Sequence, residues 1–181
     1  MATNATIYKA VLQISDLDRH YFQDHTLTLA RHPSETEERM MVRVLVFALH
    51  ANEDLAFGRG VGTEDEPALW QRDATEAIDL WVEIGQPDEK TLRQACGRSK
   101  QVVIYVYGPR GAEAWWENQR ASLDRLQNLA VILLPIESVR SLAGMANPSM
   151  QLQLTIQDGQ VWIAAGTQTF HSEPQRLKSG G

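Results

Sequence analysis

Two acidic residues, Asp79 and Glu83, interrupt an otherwise apolar stretch and are the residues best placed to do chemistry. The segment 77–85 alternates apolar residues with others in steps of two, which is typical of a β-strand. Asp79 and Glu83 therefore share one strand face, on either side of Trp81. Because acidic side chains are rarely buried unless they are paired or bound to a cation, the pattern predicts either a solvated face or a metal site.

A pair of carboxylates suits a hard divalent cation, Mg²⁺ or Mn²⁺, which prefers oxygen ligands and keeps several waters. At about 3.3 Å per residue, Asp79 and Glu83 lie about 13 Å apart along a regular strand. Sharing one ion therefore requires a β-bulge near Trp81 or a sharp bend.

A predicted helix over about 35–51 carries a third acidic residue, Glu38. Ser34 is the expected N-cap, and Glu37 completes a capping box three residues later. Glu38 falls on the apolar stripe of this helix, three residues before Met41, so we expect it to point toward the sheet rather than toward solvent. The alternative is that Glu38 complements the helix dipole.

A structural role for the strand carboxylates is the other interpretation. The face that carries Asp79 and Glu83 is then exposed to water, or the two pair with Arg31, Arg39 or Arg43. Surface ion pairs are common and contribute little to stability, so pairing alone does not indicate a functional site.

The remaining patterns predict an α/β fold with a mixed sheet flanked by helices. Two strand–helix–strand units between 77 and 134 indicate parallel pairing with right-handed crossovers. Asp158–Gly159 predicts a two-residue hairpin turn that sets Ile156 opposite Val161. The tail after Gly166 is polar and is expected to be frayed. Strands are expected near 8–14, 26–30, 55–60, 101–107, 129–134 and 152–156, helices at 88–98 and 112–127, and a partly helical stretch near residue 70.

Length and composition favour one domain over 1–181. Within it we expect a core at 31–135 and an additional antiparallel sheet built from the terminal hairpins, 1–30 and 150–166. A single cysteine, Cys96, and the lack of secretory or membrane-spanning patterns predict a cytoplasmic protein without membrane association. We expect Cys96 to be buried.

The net charge of −6 argues against non-specific binding to nucleic acid, which needs a basic surface. It leaves room for a nucleic-acid enzyme, because a metal ion brings positive charge to an acidic pocket. The five histidines match no zinc signature, and no Ser/His/Asp set or phosphate-binding glycine loop occurs.

Two apolar features suggest contact surfaces. Trp115 and Trp116 are adjacent on a predicted helix and point about 100° apart, so we expect one of them to be partly exposed. The face of the C-terminal hairpin that carries Gln151, Gln153, Thr155 and Trp162 is half polar. This face is expected either to pack on the N-terminal strands or to present an edge for binding.

Three sequence runs resemble the bacterial YaeQ family over nearly the whole chain. They are ARHPSET at 30–36 followed by ERMM at 38–41, IDLW at 78–81 with Glu83 and Gly85, and TIQDG at 155–159. The resemblance implies a variant of the restriction-endonuclease-like, PD-(D/E)xK nuclease fold. The family name is also linked to transcription elongation, a link to which no residue pattern in this chain adds support.

The nuclease pattern implied by this resemblance assigns roles to residues of this chain. Glu38 matches the acidic residue of the first core helix, Asp79 the strand aspartate, and Glu83 the second acidic residue of (D/E)xK. Gly85 stands where the pattern has a lysine that orients the attacking water and stabilises negative charge. The resemblance further implies that a basic residue of the following segment replaces it; Lys90 and Arg93 are the first candidates, Lys100 is a weaker one, and Gln94 resembles an auxiliary glutamine.

The leading hypothesis is thus a Mg²⁺- or Mn²⁺-dependent phosphodiesterase that acts on nucleic acid. Glu38, Asp79 and Glu83 would hold the metal. One alternative is a non-catalytic binding or adaptor protein, associated with the transcription machinery, in which the acidic cluster is a relic. Another keeps the metal but takes a small phosphorylated metabolite as substrate.

Overall fold

A computed structural model describes residues 4–59, 65–108 and 111–180. Its elements divide into two compact units, Met1–Ala51 with Glu137–Pro174 (unit 1) and Asn52–Ile136 with Gln175–Gly181 (unit 2). In chain order the elements are β1 (Thr6–Asp16), β2 (Tyr21–Arg31), α1 (Glu37–His50), β3 (Leu55–Phe57), β4 (Leu69–Arg72), β5 (Ile78–Ile84), α2 (Glu89–Arg98), β6 (Ser99–Val106), α3 (Ala112–Leu123), β7 (Leu129–Leu133), α4 (Ile136–Ala143), β8 (Ser149–Gln157), β9 (Gln160–Ala165), β10 (Gln168–Ser172) and β11 (Gln175–Lys178).

Unit 1 contains a five-stranded sheet in the order β10-β9-β8-β1-β2. The predicted hairpins β1–β2 and β8–β9 are confirmed, and both are antiparallel. However, β1 and β8 run parallel to each other, so the sheet is mixed and the prediction of an antiparallel sheet is wrong. The register that opposes Leu12 to Leu152 aligns the apolar rows of both strands on one buried face.

The hairpin turn between β8 and β9 has the conformation that its sequence predicts. Asp158 and Gly159 have φ values of 54° and 74°, and Ile156 lies opposite Val161. The carboxylate of Asp18 accepts hydrogen bonds from the backbone N–H groups of Asp158 and Gly159 at 2.7 and 3.0 Å. These two bonds lower the pKa of Asp18, with the bond from Gly159 as the larger cause.

Helix α1 begins two residues later than its sequence predicts. The N-cap is Thr36, whose side chain accepts a hydrogen bond from the backbone N–H of Arg39, so the assignment of Ser34 as N-cap is wrong. Ser34 instead contacts the ring of His32, and Glu35 is buried and ion-paired. The ion pairing of Glu35 outweighs the local preference for a capping box. From Met40 to Ala48 every residue of α1 is buried.

Unit 2 contains a six-stranded mixed sheet in the order β11-β7-β6-β5-β4-β3. Strands β5, β6 and β7 are parallel, which confirms the predicted strand–helix–strand units. The partly helical stretch predicted near Trp70 is wrong: Trp70 lies in β4, where pairing with β5 sets it opposite Trp81. The prediction of a frayed tail is also wrong, because β10 joins the first sheet and β11 pairs with β7.

The core of unit 2 forms where α2 and α3 cover one side of the parallel strands. Trp116 is buried in this core, while Trp115 is partly buried and donates to the carbonyl of Pro87 at 3.2 Å. Helix α3 ends at Leu123, four residues earlier than predicted. No helix among the described residues has the length and apolar character needed to cross a membrane.

The division into units differs from the grouping inferred from sequence. Helix α1 belongs to unit 1 with the terminal strands, whereas the sequence grouped it with the segment 31–135. The restriction-endonuclease-like core and the single domain stay predictions, and what the structure provides is a mixed α/β fold with two mixed sheets and four helices among the described residues.

Candidate active site

Strand β5 presents Asp79 and Glu83 from the interior of the unit 2 sheet, between antiparallel β4 and parallel β6. Both are partly buried, and Trp81 between them is buried. The indole Nε1–H of Trp81 donates to Oε1 of Glu83 at 2.8 Å. A contact between positions two apart confirms that Trp81 and Glu83 share a face, as the alternation predicts.

A β-bulge is present in β5, but at Asp79 rather than near Trp81. On the β4 side Gln71 pairs with Leu80 and Arg72 with Ile78, so Asp79 is the additional residue. The pairing with β6 keeps one register from Ile78 to Ile84. The bulge interrupts the pairing of β5 with β4 at Asp79. A regular strand would separate Asp79 from Glu83 by about 13 Å, from about 3.3 Å per residue.

Lys100 is the cation next to Asp79. Its Nζ lies 2.7 Å from Oδ1 of Asp79, and the two residues sit on neighbouring strands. The hydrogen bond and the charge of Asp79 raise the pKa of Lys100, and Asp73 adds to this effect. The Lys100 side chain is 71% exposed and that of Asp79 is 28% exposed. The ammonium group of Lys100 is thus screened by water, whereas Oδ1 of Asp79 is itself buried.

Lys90 and Arg93, the cations that the sequence ranked first, lie on helix α2, whereas Lys100 lies on β6. Asp88 caps this helix by accepting a hydrogen bond from the backbone N–H of Thr91 at 2.8 Å. Arg93 forms an ion pair with Glu89 of the same helix. Because Leu92 and Ala95 form the buried side of α2, three polar residues are exposed on the helix surface: Lys90, Arg93 and Gln94.

Glu38 lies in the first turn of α1 and is partly buried. It belongs to unit 1, whereas Asp79 and Glu83 belong to unit 2. Arg31, Arg39 and Arg43 were the expected ion-pair partners of Asp79 and Glu83 if these carboxylates had a structural role. All three bind Glu35 instead. Arg39 and Arg43 form ion pairs with its carboxylate, and Arg31 donates to the backbone carbonyl of Glu35.

Gly85 has a backbone conformation that accounts for the absence of lysine at this position. Its φ is +108°, and its N–H donates to the carbonyl of Tyr105 at 2.9 Å. Residues with a Cβ rarely adopt this conformation, although a Cβ here would meet no atom within 4 Å. The geometry of the chain, not crowding, therefore disfavours lysine at position 85.

The packing of two tryptophans and two arginines in unit 2 was not predicted from the sequence. Trp70 and Trp81 pack edge to face with ring centroids 6.1 Å apart. The guanidinium of Arg72 lies 4.2 Å from the Trp70 ring centroid, and that of Arg98 lies 5.1 Å from the Trp81 ring centroid. The signal available in the sequence was the strand-forming pattern of LWQR at 69–72, which a helical interpretation hid.

Within 4–59, 65–108 and 111–180, His, Cys, Asp and Glu side chains form no group of three or more that could hold a metal. The oxygen donors of Asp79 and Glu83 are of the type that Mg²⁺ and Mn²⁺ prefer. Metal binding therefore stays a prediction, which in unit 2 depends on these two carboxylates.

Comparisons with known proteins agree with one another. The family model described as YaeQ protein matches residues 1–174. Proteins named "Uncharacterized protein YaeQ" from Salmonella typhi and Escherichia coli (strain K12) are 46% and 44% identical to this chain over 164 residues, 91% of each chain. The crystal structure of YaeQ protein from Xanthomonas axonopodis pv. citri is similar, with a TM-score of 0.94 and 44% identity, covering 97% of this chain and 99% of that one. The YaeQ structure from Pseudomonas syringae has a TM-score of 0.92 and 34% identity, covering 97% of both chains.

Proposed function

The chain belongs to the YaeQ family, and from that premise we propose that it is a divalent-metal-dependent phosphodiesterase that acts on nucleic acid. The observation that supports this proposal most directly is the contact between Lys100 and Asp79, a cation beside a partly exposed carboxylate on adjacent interior strands. The resemblance to the nuclease pattern calls for such a combination.

In this proposal Asp79 and Glu83 would supply oxygen ligands for the ion, which requires a bend of β5 that shortens the separation of about 13 Å expected for a regular strand. When bound, Mg²⁺ or Mn²⁺ would polarise the phosphodiester and supply an activated water. Lys100 takes the role of the lysine that the nuclease pattern has at the position of Gly85. Its ammonium group stabilises the negative charge that develops on the phosphoryl oxygens.

The exposure of the Lys100 side chain, 71%, supports this role, because its ammonium group can reach a bound phosphate. In the free protein its charge neutralises Asp79. With an ion bound to Asp79, the ammonium group of Lys100 would be free to contact the phosphate. Trp81 orients Glu83 through the indole hydrogen bond.

Calorimetric titration of Mn²⁺ tests the metal ligands before any substrate is identified. We expect saturable binding by the wild type and at least tenfold weaker binding by Asp79→Asn and Glu83→Ala, as for the loss of a charged ligand. Glu89→Gln, which removes an exposed carboxylate of α2, is the matched control and should bind like the wild type. Unchanged affinity in both β5 variants would refute the assignment.

Cleavage of labelled DNA and RNA oligonucleotides in Mg²⁺ or Mn²⁺ tests the role of Lys100. Lys100→Met should retain or increase metal affinity, because a competing cation is removed from Asp79, while cleavage falls by about 10²–10³-fold. Arg93→Met is the control and should cleave at the wild-type rate. Loss of cleavage in Arg93→Met with full activity in Lys100→Met would show that Arg93, not Lys100, stabilises the charge on the phosphoryl oxygens.

The second candidate is a non-catalytic binding protein whose partner is the transcription machinery. It is favoured by the same ion pair, since Lys100 already neutralises Asp79 in the free protein. Absence of Mn²⁺ binding up to millimolar concentration, together with polymerase capture that persists in the Asp79→Asn/Glu83→Ala variant, would support this function over the enzyme.

A further inference from the structure

The five-stranded sheet of unit 1 has one buried face and one exposed face. Alternation along β1 buries Tyr8, Ala10, Leu12 and Ile14 on the inner side. The ring of His25, opposite Leu12, contacts Phe47 of α1 on that inner side. The outward-pointing residues of β1, β2, β8, β9 and β10 form what we call the outer face.

The outer face carries most of the large exposed hydrophobic side chains among the described residues. Five such side chains are exposed: Ile7 (53%), Val11 (36%), Leu17 (38%), Phe22 (57%) and Trp162 (38%). The strand registers place all of them except Leu17 on the outer face. Leu17 follows the end of β1. Apolar groups gathered on one face are typical of an interaction surface, whereas scattered ones are ordinary.

Formal charge is nearly absent from the outer face. With His171 neutral, Lys9 and Asp24 are the two charged residues that the described strands direct outward. The other polar groups there are amides and hydroxyls. The protein as a whole carries a net charge of −6, so this face is far less acidic than the chain average. It suits neither a polyanion, which needs cations, nor a strongly basic partner.

We propose that the outer face binds the outer face of a second copy of this chain, which forms a two-fold symmetric dimer. One positive and one negative residue on a single face are self-complementary: a two-fold axis in the plane of contact that sets Lys9 against Asp24 of the second copy also makes the reciprocal pair. Val11 lies between Lys9 and Asp24, on the strand that pairs with β2. The axis therefore passes close to Val11.

The strand geometry of the outer face is compatible with this packing. Two sheets pack face to face about 10 Å apart with strands within about 30° of each other. Beside Val11 lies a groove of about 350 Å³, which is large enough for side chains of the second copy. It is lined on this face by Val11, Gln13, Gln151, Gln153, Ala164 and Gly166. The amides of Gln153 and Gln13 already bond to each other at 3.0 Å, which reduces the cost of removing them from water.

Sedimentation equilibrium from micromolar to several hundred micromolar protein tests the dimer. We expect the wild type to reach twice its monomer mass of 20.3 kDa. Val11→Lys places two like charges together at the axis and should raise the dimer dissociation constant at least about 100-fold. Leu17→Lys adds the same charge at a residue of nearly equal exposure outside the outer face, so it should dimerise like the wild type.

A charge exchange separates this dimer from general effects of charge on solubility. Lys9→Glu and Asp24→Lys should each weaken dimerisation about tenfold, and the double variant should recover wild-type affinity. Circular dichroism of each variant verifies folding, and Val11→Thr serves as a milder substitution if Val11→Lys does not fold. A monomeric wild type over the whole range, or a double variant no better than the single ones, would overturn the proposal. Binding of another protein or of a small ligand to this face of a monomer would overturn it as well.

Discussion

Glu35 accepts a hydrogen bond at 2.6 Å from Nη2 of Arg43, and both side chains are almost fully removed from water, at 2% and 6% exposure. The same guanidinium nitrogen donates to the carbonyl of Ala30 at 3.2 Å, and Arg39 forms a second ion pair with Glu35. Arg31 donates to the backbone carbonyl of Glu35 at 2.9 Å. These contacts of Glu35 with the arginines connect the end of β2 to the start of α1, which explains why the helix begins after Glu35.

Removal of the Glu35 carboxylate should destabilise the protein strongly. Glu35→Ala leaves the Arg43 guanidinium buried without its anionic partner, and we expect the free energy of unfolding to fall by about 3–5 kcal/mol. Urea unfolding followed by circular dichroism measures this change. Glu37→Gln, at an exposed position in the first turn of α1, is the control and should lose less than about 1 kcal/mol. Equal losses in the two variants would show that the buried pair contributes nothing special.

Alanine at Gly85 should cost stability through the backbone alone. Since φ is +108° and no atom would crowd the new Cβ, we expect Gly85→Ala to lower the free energy of unfolding by about 1–2 kcal/mol. Gly97 in α2 has equally open surroundings, and Gly97→Ala should raise it by about 0.5–1 kcal/mol. Gly85→Lys should likewise be destabilised and should not improve cleavage. The same sign for both alanine variants in urea unfolding would contradict this explanation.

Stability should decrease below about pH 6.5 because of His25. Burial lowers the pKa of His25 from its ordinary value of 6.5, and the charge of Asp24 opposes this only in part. Below pH 6.5 the unfolded chain therefore takes up a proton more readily than the folded one, and the free energy of unfolding falls until the pH drops below the lowered pKa. His25→Phe should remove part of this pH dependence, measured by urea unfolding between pH 7.5 and 5. An identical pH profile in wild type and His25→Phe would assign the dependence to other groups.

Cys96 should be a poorly reactive thiol. Burial raises its pKa to about 11 from 9.0, although the charge of Lys178 acts in the opposite direction. The thiolate is the reactive form, so at pH 7.5 its fraction should be about 100-fold lower than in the unfolded chain. Reaction with a chromogenic disulfide reagent, compared in buffer and in urea, measures this ratio. Equal rates in the two conditions would show that the thiol is accessible and unperturbed.

Local signals in the sequence were sufficient for many elements. The apolar runs of β6 and β7 and the alternation in β5 identified these strands, and Asp88 was identified at the start of α2. The Asp158–Gly159 turn followed from a conformational preference of two residues. In each case the interactions that determine the element lie within a few residues of one another.

Elements that depend on distant partners were missed or misplaced. Strand β4 is short and becomes a strand by pairing with β5, and β10 and β11 are polar segments held by β9 and β7. The capping box at Ser34 is a reasonable local pattern. The ion pair between Glu35 and Arg43, eight residues away, stabilises a helix start after Glu35 instead. Short polar segments carry little periodicity, so their pairing partners decide their structure.

The candidate site shows the same division. The sequence by itself determined that Trp81 and Glu83 share a face of one strand, because side chains alternate along an extended chain. Only the tertiary structure decided that Lys100, rather than Lys90 or Arg93, meets Asp79, and that the bulge falls at Asp79. The physical reason is that the contact depends on the register between two strands connected through α2, and a register is set by the packing of whole strands and helices.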